Sequence, residues 1–350
     1  MKPKLIFHIG LEKTGTDSFQ RFCTDNRALL RRYSVLYPVK NLAFARHSHA
    51  PLVACYLPYR DLSIHLVRRG RQAVLASLFR EIERNACDTV LLSAEHFSSR
   101  FREQEIARLA ADFAGYDCRI AVVVRAHAPR ICSAYAQSIL AGRHLTVEEY
   151  CDEIITPDHR YIRYRETIAA WEEVFGKDKI NVFAHAAGAN IVETLCRSLV
   201  SAAMPIDTAQ TYWDNKSCDA RATEALRRVN LALWRGGPML SFGNRMRWAA
   251  AGYVRWRARR LLERSGQDRA GPPVHLGARN LARLMEIVEA DCRWLKQSYA
   301  IRLPLPDLAS EPADADIAAQ LKSGGLLATT LIGQIPEMRL LMLFNAMRKP

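Results

Sequence analysis

Lys4-Leu5-Ile6-Phe7-His8-Ile9-Gly10-Leu11-Glu12-Lys13-Thr14-Gly15-Thr16-Asp17-Ser18-Phe19-Gln20 runs from a short apolar strand, through a loop with two glycines, a lysine and several hydroxyls, straight into a helix. The strand is the run Lys4 to Ile9, ended by Gly10. The helix follows from apolar residues at Phe19, Phe22, Cys23, Leu29 and Leu30 between Thr16 and Tyr33. Main-chain N–H groups of such a loop and of the helix start together seat an anion. Gly15 lets the chain approach the ligand, Thr16 and Ser18 can donate to its oxygens, and Lys13 adds positive charge.

Working outward, three more strand-like runs appear at 89–93, 119–125 and 179–184, with helical patterns at 71–86, 102–114, 130–142 and 161–175. Short apolar strands alternating with helices predict an α/β fold whose mostly parallel central sheet is flanked by helices. Ligands of such sheets sit beyond the carboxyl ends of the strands. Past residue 218 the pattern is helical, at 219–232, 243–264 and 279–298, with a Gly/Pro-containing break at 265–278, so helical C-terminal additions are expected. Arg302 to Asp316 holds Pro304, Pro306 and Pro312 and reads as an exit from the compact domain. The expected layout is one domain over 1–305, with a helical substrate or cover region at about 219–298. A partly helical tail follows over 306–350; its apolar stretch 326–347 is interrupted by Gly333 and Pro336.

With 49% hydrophobic and 25% charged residues the chain has the make-up of a packed globular protein, which excludes wholesale disorder. No apolar run approaches the ~20 residues of a membrane helix. The apolar part of the opening, Leu5-Ile6-Phe7 after Met1-Lys2-Pro3-Lys4, is too short for a secretory signal. Nine scattered cysteines without a CxxC pair argue against a disulfide framework or zinc ribbon, so the expected compartment is a reducing cytoplasm. The net charge is +14, and 40 of the 50 basic residues are Arg, whose planar fork suits phosphate, sulfate and carboxylate. The surplus points to a nucleotide, a polyanionic acceptor or an acidic membrane surface. Genome composition alone also writes Arg for Lys, so charge by itself does not choose.

The first loop is not a Walker A sequence, in which lysine directly follows the second glycine; Lys13 precedes Gly15 by two. Lys13-Thr14-Gly15-Thr16 after a first strand, with Gln20 four residues on, instead resembles the 5′-phosphosulfate loop of sulfotransferases that use 3′-phosphoadenosine 5′-phosphosulfate (PAPS). A second motif agrees. The strand ending Val124-Arg125 is followed by Ala126-His127-Ala128-Pro129-Arg130-Ile131-Cys132-Ser133, and the family's 3′-phosphate signature is an arginine at a strand end, a Pro-containing turn and a serine eight residues on. Arg125 and Ser133 show that spacing. Asp214-Asn215-Lys216-Ser217 before a helix is similar to the segment that closes over the nucleotide in bacterial members, and Asp291 to Leu303 is similar to their closing helix. The resemblance covers about 1–305.

It implies a P-loop-NTPase-like sulfotransferase fold, with PAPS as co-substrate, no metal, and Lys13, Thr14, Gly15, Thr16, Asp17, Ser18, Arg125, Ser133, Lys216 and Ser217 around the nucleotide. It further implies in-line transfer to a hydroxyl or amine of a carbohydrate or other cell-surface precursor, with Lys13 at the leaving oxygen. The base is expected in Ser93-Ala94-Glu95-His96, with Glu95 first and His96 second, although the family's usual order there is Glu-Lys-Ser. His47 and His49 are acceptor-site candidates; the His-x-His pair lacks a third metal ligand nearby. The helix 243–264, with seven arginines and Met246, Trp248, Tyr253 and Trp256, reads either as a holder of an acidic saccharide, as peripheral contact with an anionic membrane, or as a solvated helix packed by its apolar side; 326–346 is a second candidate for membrane contact. Two other classes stay open. An ATP-using P-loop kinase would need a magnesium-holding Asp at a strand end, where Arg125 stands. An Arg-rich nucleic-acid-binding protein would show aromatics among basic residues on a strand platform.

Overall fold

A computed structural model describes residues 2–39, 47–58, 70–186, 188–206, 218–235, 244–336 and 338. The chain divides into two compact units, the first built from 1–126, 158–215 and 288–305 and the second from 127–157, 216–287 and 306–350.

The first unit contains a five-stranded sheet in the order β2-β3-β1-β4-β5, formed by β1 (Lys4–His8), β2 (Val35–Leu36), β3 (Thr89–Ser93), β4 (Cys118–Arg125) and β5 (Ile180–His185). Every pairing is parallel. The α/β sheet expected from the sequence is therefore present, with β1 at its centre. Alternation explains why the strands read as continuous apolar runs. Leu5, Phe7, Val90, Leu92, Ile120, Val122 and Val124 pack into the core on one face, while Ile6, Leu91, Ala121 and Val123 pack into the core on the other. A strand covered on both sides has no polar face to show.

Helices α1 (Thr16–Asp25) and α10 (Ile191–Leu199) supply the cover of the second face through Phe19, Phe22, Cys23, Val192 and Leu195. The short α2 (Arg27–Arg32) follows α1 after a break that the periodicity did not predict: Asn26 Nδ2 donates to Phe22 O at 3.0 Å and ends the first helix. The first face is covered by α3 (Ala50–Ala54), α4 (Arg71–Glu83), α5 (His96–Arg100), α6 (Glu103–Asp112) and α9 (Tyr164–Phe175). Trp171 lies fully buried among Phe97, Phe101 and Phe175.

The second unit is helical, as expected for the C-terminal part. It holds α7 (His127–Leu140), α8 (Val147–Ile154), α11 (Ala220–Arg235), α12 (Asn244–Arg264) and α14 (Asp314–Gln334); α13 (Ala278–Tyr299) begins in it and ends in the first unit, where Leu295 joins the core. Asp219 starts α11, its Oδ1 accepting from Ala222 N–H at 2.7 Å and its Oδ2 from Gly271 N–H at 2.7 Å. The stretch read as a tail from 306 carries α14, which packs along α11. Gly324 makes that possible, because a Cβ there would stand 2.8 Å from Arg221 O and 2.7 Å from Glu224 Cβ.

Candidate functional site

The centre of the sheet fixes the site. β1 delivers the chain to residues 9–15, and α1 starts at Thr16. Three of the loop residues have left-handed backbone: Gly10 (φ 59°), Lys13 (φ 66°) and Gly15 (φ 85°). Gly10 has room for nothing larger, since a Cβ would meet Thr16 Oγ1 at 2.7 Å and Glu95 Cα at 3.4 Å. At Gly15 a Cβ would stand 2.5 Å from Ile191 Cγ2. Gly15 occupies the N-cap of α1 with no side-chain cap, so the first N–H groups of the helix keep their donors for a ligand.

The hydroxyls divide the work. Thr14 Oγ1 donates to Leu11 O at 2.6 Å, and Thr16 Oγ1 reaches the same oxygen at 3.3 Å. Both threonines are buried and fasten the loop to itself, whereas Ser18 is half-buried and Asp17 exposed. Lys13 is half-buried at the loop's outer turn. Its carbonyl accepts from Arg125 Nη1 at 3.1 Å, which ties the end of β4 to the loop. Arg125 is held in turn by Tyr164, whose hydroxyl donates to Arg125 O at 2.6 Å.

Beneath the loop runs a buried polar string. His8 Nδ1 and Ser93 Oγ share a hydrogen bond of 2.7 Å, and Gln20 Nε2 donates to the same hydroxyl at 3.2 Å. Ser93 N–H donates to His49 Nδ1 at 3.0 Å, and His49 Nε2 lies 3.1 Å from Pro38 O. Burial depresses both imidazoles, His8 to about 3 and His49 to about 4, with the two main-chain bonds of His49 opposing the shift. His49 is 1% exposed with both nitrogens on the main chain, which leaves it no nitrogen for an acceptor. His47 is half-buried, and its carbonyl accepts from Tyr37 Oη at 2.5 Å.

The turn after β3 closes against the loop. Ala94 N–H donates to His8 O at 3.1 Å, and Glu95 begins α5 with its Cα beside Gly10. His96 lies below its ordinary value chiefly through burial; the charges of Glu12 and Asp17 act against that shift and Arg100 with it. The loop, Arg125, Glu95 and His96 thus gather at the carboxyl edge of β1, β3 and β4. Ser133 lies in the second turn of α7, within the second unit. Lys216 and Ser217 lie outside the described residues.

The sequence reading missed two residues. His8 was part of the quoted motif, but its role as an interior partner depends on Ser93, 85 residues away. His185 ends β5 opposite Arg125 in the strand register, and burial first and Arg125 second lower its imidazole. Its signal was one residue beyond the apolar run that stopped at Ala184. Among the described residues no group of three His, Cys, Asp or Glu stands together as a metal site.

No family model and no curated protein matches the chain. Among solved structures the chain is similar to a sulfotransferase from Alicyclobacillus acidocaldarius, with a TM-score of 0.34 and 14% identity over 66% of this chain and 94% of that one. A likeness this loose transfers no residue role to this chain.

Proposed function

We propose that the protein transfers a sulfuryl group from PAPS to a hydroxyl or amine of an acceptor, a carbohydrate or another cell-surface precursor, without a metal. The observation that carries this reading is the left-handed loop at the carboxyl end of the central strand, tied by Arg125 from the neighbouring strand. Such a loop running into an uncapped helix fits a phosphate-like anion, and glycine at position 15 allows the left-handed turn that packs against Ile191. Residues Lys13 to Ser18 would hold the 5′ end of the nucleotide. Because the Thr14 and Thr16 hydroxyls are taken by Leu11 O, these two act through main-chain N–H groups and Ser18 supplies the hydroxyl. Arg125 and Ser133 would read the 3′-phosphate, and Lys216 and Ser217 would cover it.

The donor supplies an activated sulfuryl group; the chain must align the acceptor, neutralise charge and accept a proton. Lys13 would neutralise the charge that grows on the bridging oxygen. Glu95, against Gly10, would take the acceptor's proton, with His96 second; burial keeps that imidazole neutral near pH 7 and so able to accept. His49 acts by holding Ser93, and His47 stays the acceptor-side candidate.

Calorimetric titration with 3′,5′-adenosine bisphosphate, and with ADP and ATP with and without magnesium, tests the reading. The bisphosphate is expected to bind at least roughly tenfold tighter than ADP, independently of magnesium, because an Arg–phosphate contact is charge-assisted. Arg125→Ala should weaken it about ten- to hundredfold, while Lys13→Ala should abolish transfer and leave the fold intact. Preference for magnesium-ATP would replace this reading with a kinase. Polynucleotide binding that falls steeply with salt and ignores a 3′-phosphate would replace it with nucleic-acid binding.

A further inference from the structure

Helix α12 divides lengthwise. Val254, Ala258 and Leu262 recur every four residues and are buried at 5%, 0% and 0% exposure. On the opposite side Tyr253, Trp256, Arg257, Arg260 and Arg264 follow the three- and four-residue spacing of a single stripe. Tyr253 and Trp256 stand 45% and 53% exposed, although both are large aromatics. Their rings stack at 5.9 Å with 28° between planes. The Arg257 guanidinium lies over the Tyr253 ring at 5.9 Å, and that of Arg260 over the Trp256 ring at 5.7 Å. The helix sequence holds seven arginines against the single carboxylate Glu263, which pairs with Arg259 at 2.8 Å and with Arg260 at 3.9 Å.

Two half-exposed rings in a row, outside the buried seam of their own helix, mark a contact surface and not core packing. The charge requires an anionic partner, and the rings require one that also offers an apolar interior. A soluble polyanion meets only the first requirement. A sugar or nucleobase platform presents open ring faces for stacking, whereas here each ring carries the other ring and a guanidinium. Side-by-side aromatics flanked by arginines match the level of a bilayer at which headgroup phosphates meet acyl chains. No helix among the described residues is long and apolar enough to cross a membrane, so this contact lies along the surface.

We propose that α12 is a docking face for an anionic lipid surface, with Tyr253 and Trp256 at headgroup depth and Arg257, Arg260 and Arg264 over lipid phosphates. The proposal is independent of the sulfuryl-transfer reading, since none of these residues belongs to that site. It is tested by co-sedimentation of the full chain with phosphatidylcholine vesicles and with vesicles in which about a third of the lipid is phosphatidylglycerol. Binding to the anionic vesicles is expected to exceed binding to neutral ones by roughly tenfold or more, and to fall as salt rises. Tyr253→Ser with Trp256→Ser should reduce it roughly tenfold at unchanged circular dichroism. Arg257→Gln with Arg260→Gln should reduce it as well and flatten the salt dependence. Equal sedimentation of the unaltered chain with both vesicle types, or failure to sediment with either, would overturn the proposal. So would full vesicle binding by the aromatic variant. A loss in both variants confined to a single-stranded oligonucleotide or dextran sulfate would also overturn it and assign the stripe to a soluble polyanion.

Discussion

Two fully buried histidines make the fold sensitive to acid. His8 and His49 stay neutral in the folded chain, with values of about 3 and about 4, whereas the unfolded chain binds a proton at each near the ordinary 6.5. Their neutral forms are thus fully compatible with folding above pH 6.5, and stability falls as pH drops below it. Well below 6.5 each group contributes a loss of about 1.4 kcal/mol per pH unit, until its folded value is reached. Urea unfolding at pH 7 and pH 5 should show this loss; His96 and His185, also lowered by burial, act in the same direction, so His49→Gln should remove only its own share of the histidine-dependent slope. A profile that stays flat between these pH values would mean that the two imidazoles are wetter than described. Lys13 is the other residue where conformation and chemistry meet: its φ of 66° costs a residue with a Cβ about 1–2 kcal/mol. Strain of this size is held in place by its surroundings, here Arg125 on the Lys13 carbonyl and the two threonines on Leu11 O.

At the scale of elements, the contact between α11 and α14 is the most exposed to a single change. Glu224 is buried and receives Arg227 at 2.6 and 2.9 Å and Arg228 at 2.6 Å, so its side chain cannot swing away from Gly324. Gly324→Leu should therefore push α14 off α11, at a cost of about 3 kcal/mol or more. Limited proteolysis would reveal it as new cleavage within 314–334; a protected α14 in that variant would show that the helix pair accommodates the larger side chain. The pair Gly324-Gly325 also shows why the reading from sequence stopped short here. Glycines inside a helical pattern read as breakers, and only the partner helix reveals them as a point of close approach. β1, β3, β4 and β5, the loop and the helices over 71–86, 243–264 and 279–298 were legible, because their apolar spacing or glycine placement is complete within a dozen or two neighbouring residues. β2 was not, being two residues long, and neither was the break at Asn26, which depends on one side-chain bond. Within the site, Lys13, Arg125 and Glu95 stood out as polar residues at strand ends. The engagement of Thr14, Thr16 and His49 could not be seen, since it consists of main-chain partners placed by the fold.

For the whole molecule, the interleaving of the two units matters most. The first unit draws its last segment from 288–305, beyond everything the second unit takes from 216–287. Leu295 from that segment is fully buried in the same core as Phe7 and Val122. Leu295→Ala should cost about 2–5 kcal/mol, and it should weaken adenosine bisphosphate binding only in proportion to the fraction unfolded. Chemical denaturation and calorimetry on the same samples would check this, and a selective loss of binding in a fully folded variant would give the residue a role beyond packing. The position of β1 has a consequence for birth as well as for the finished fold. β1 pairs with β3 from Thr89 and with β4 from Cys118, so during synthesis it leaves the ribosome well before either of its partners. At translation speeds of about 5–20 residues per second that wait lasts roughly ten seconds. Throughout it Leu5, Ile6 and Phe7 are an uncovered, doubly apolar ribbon, the kind of segment that a nascent-chain chaperone shields.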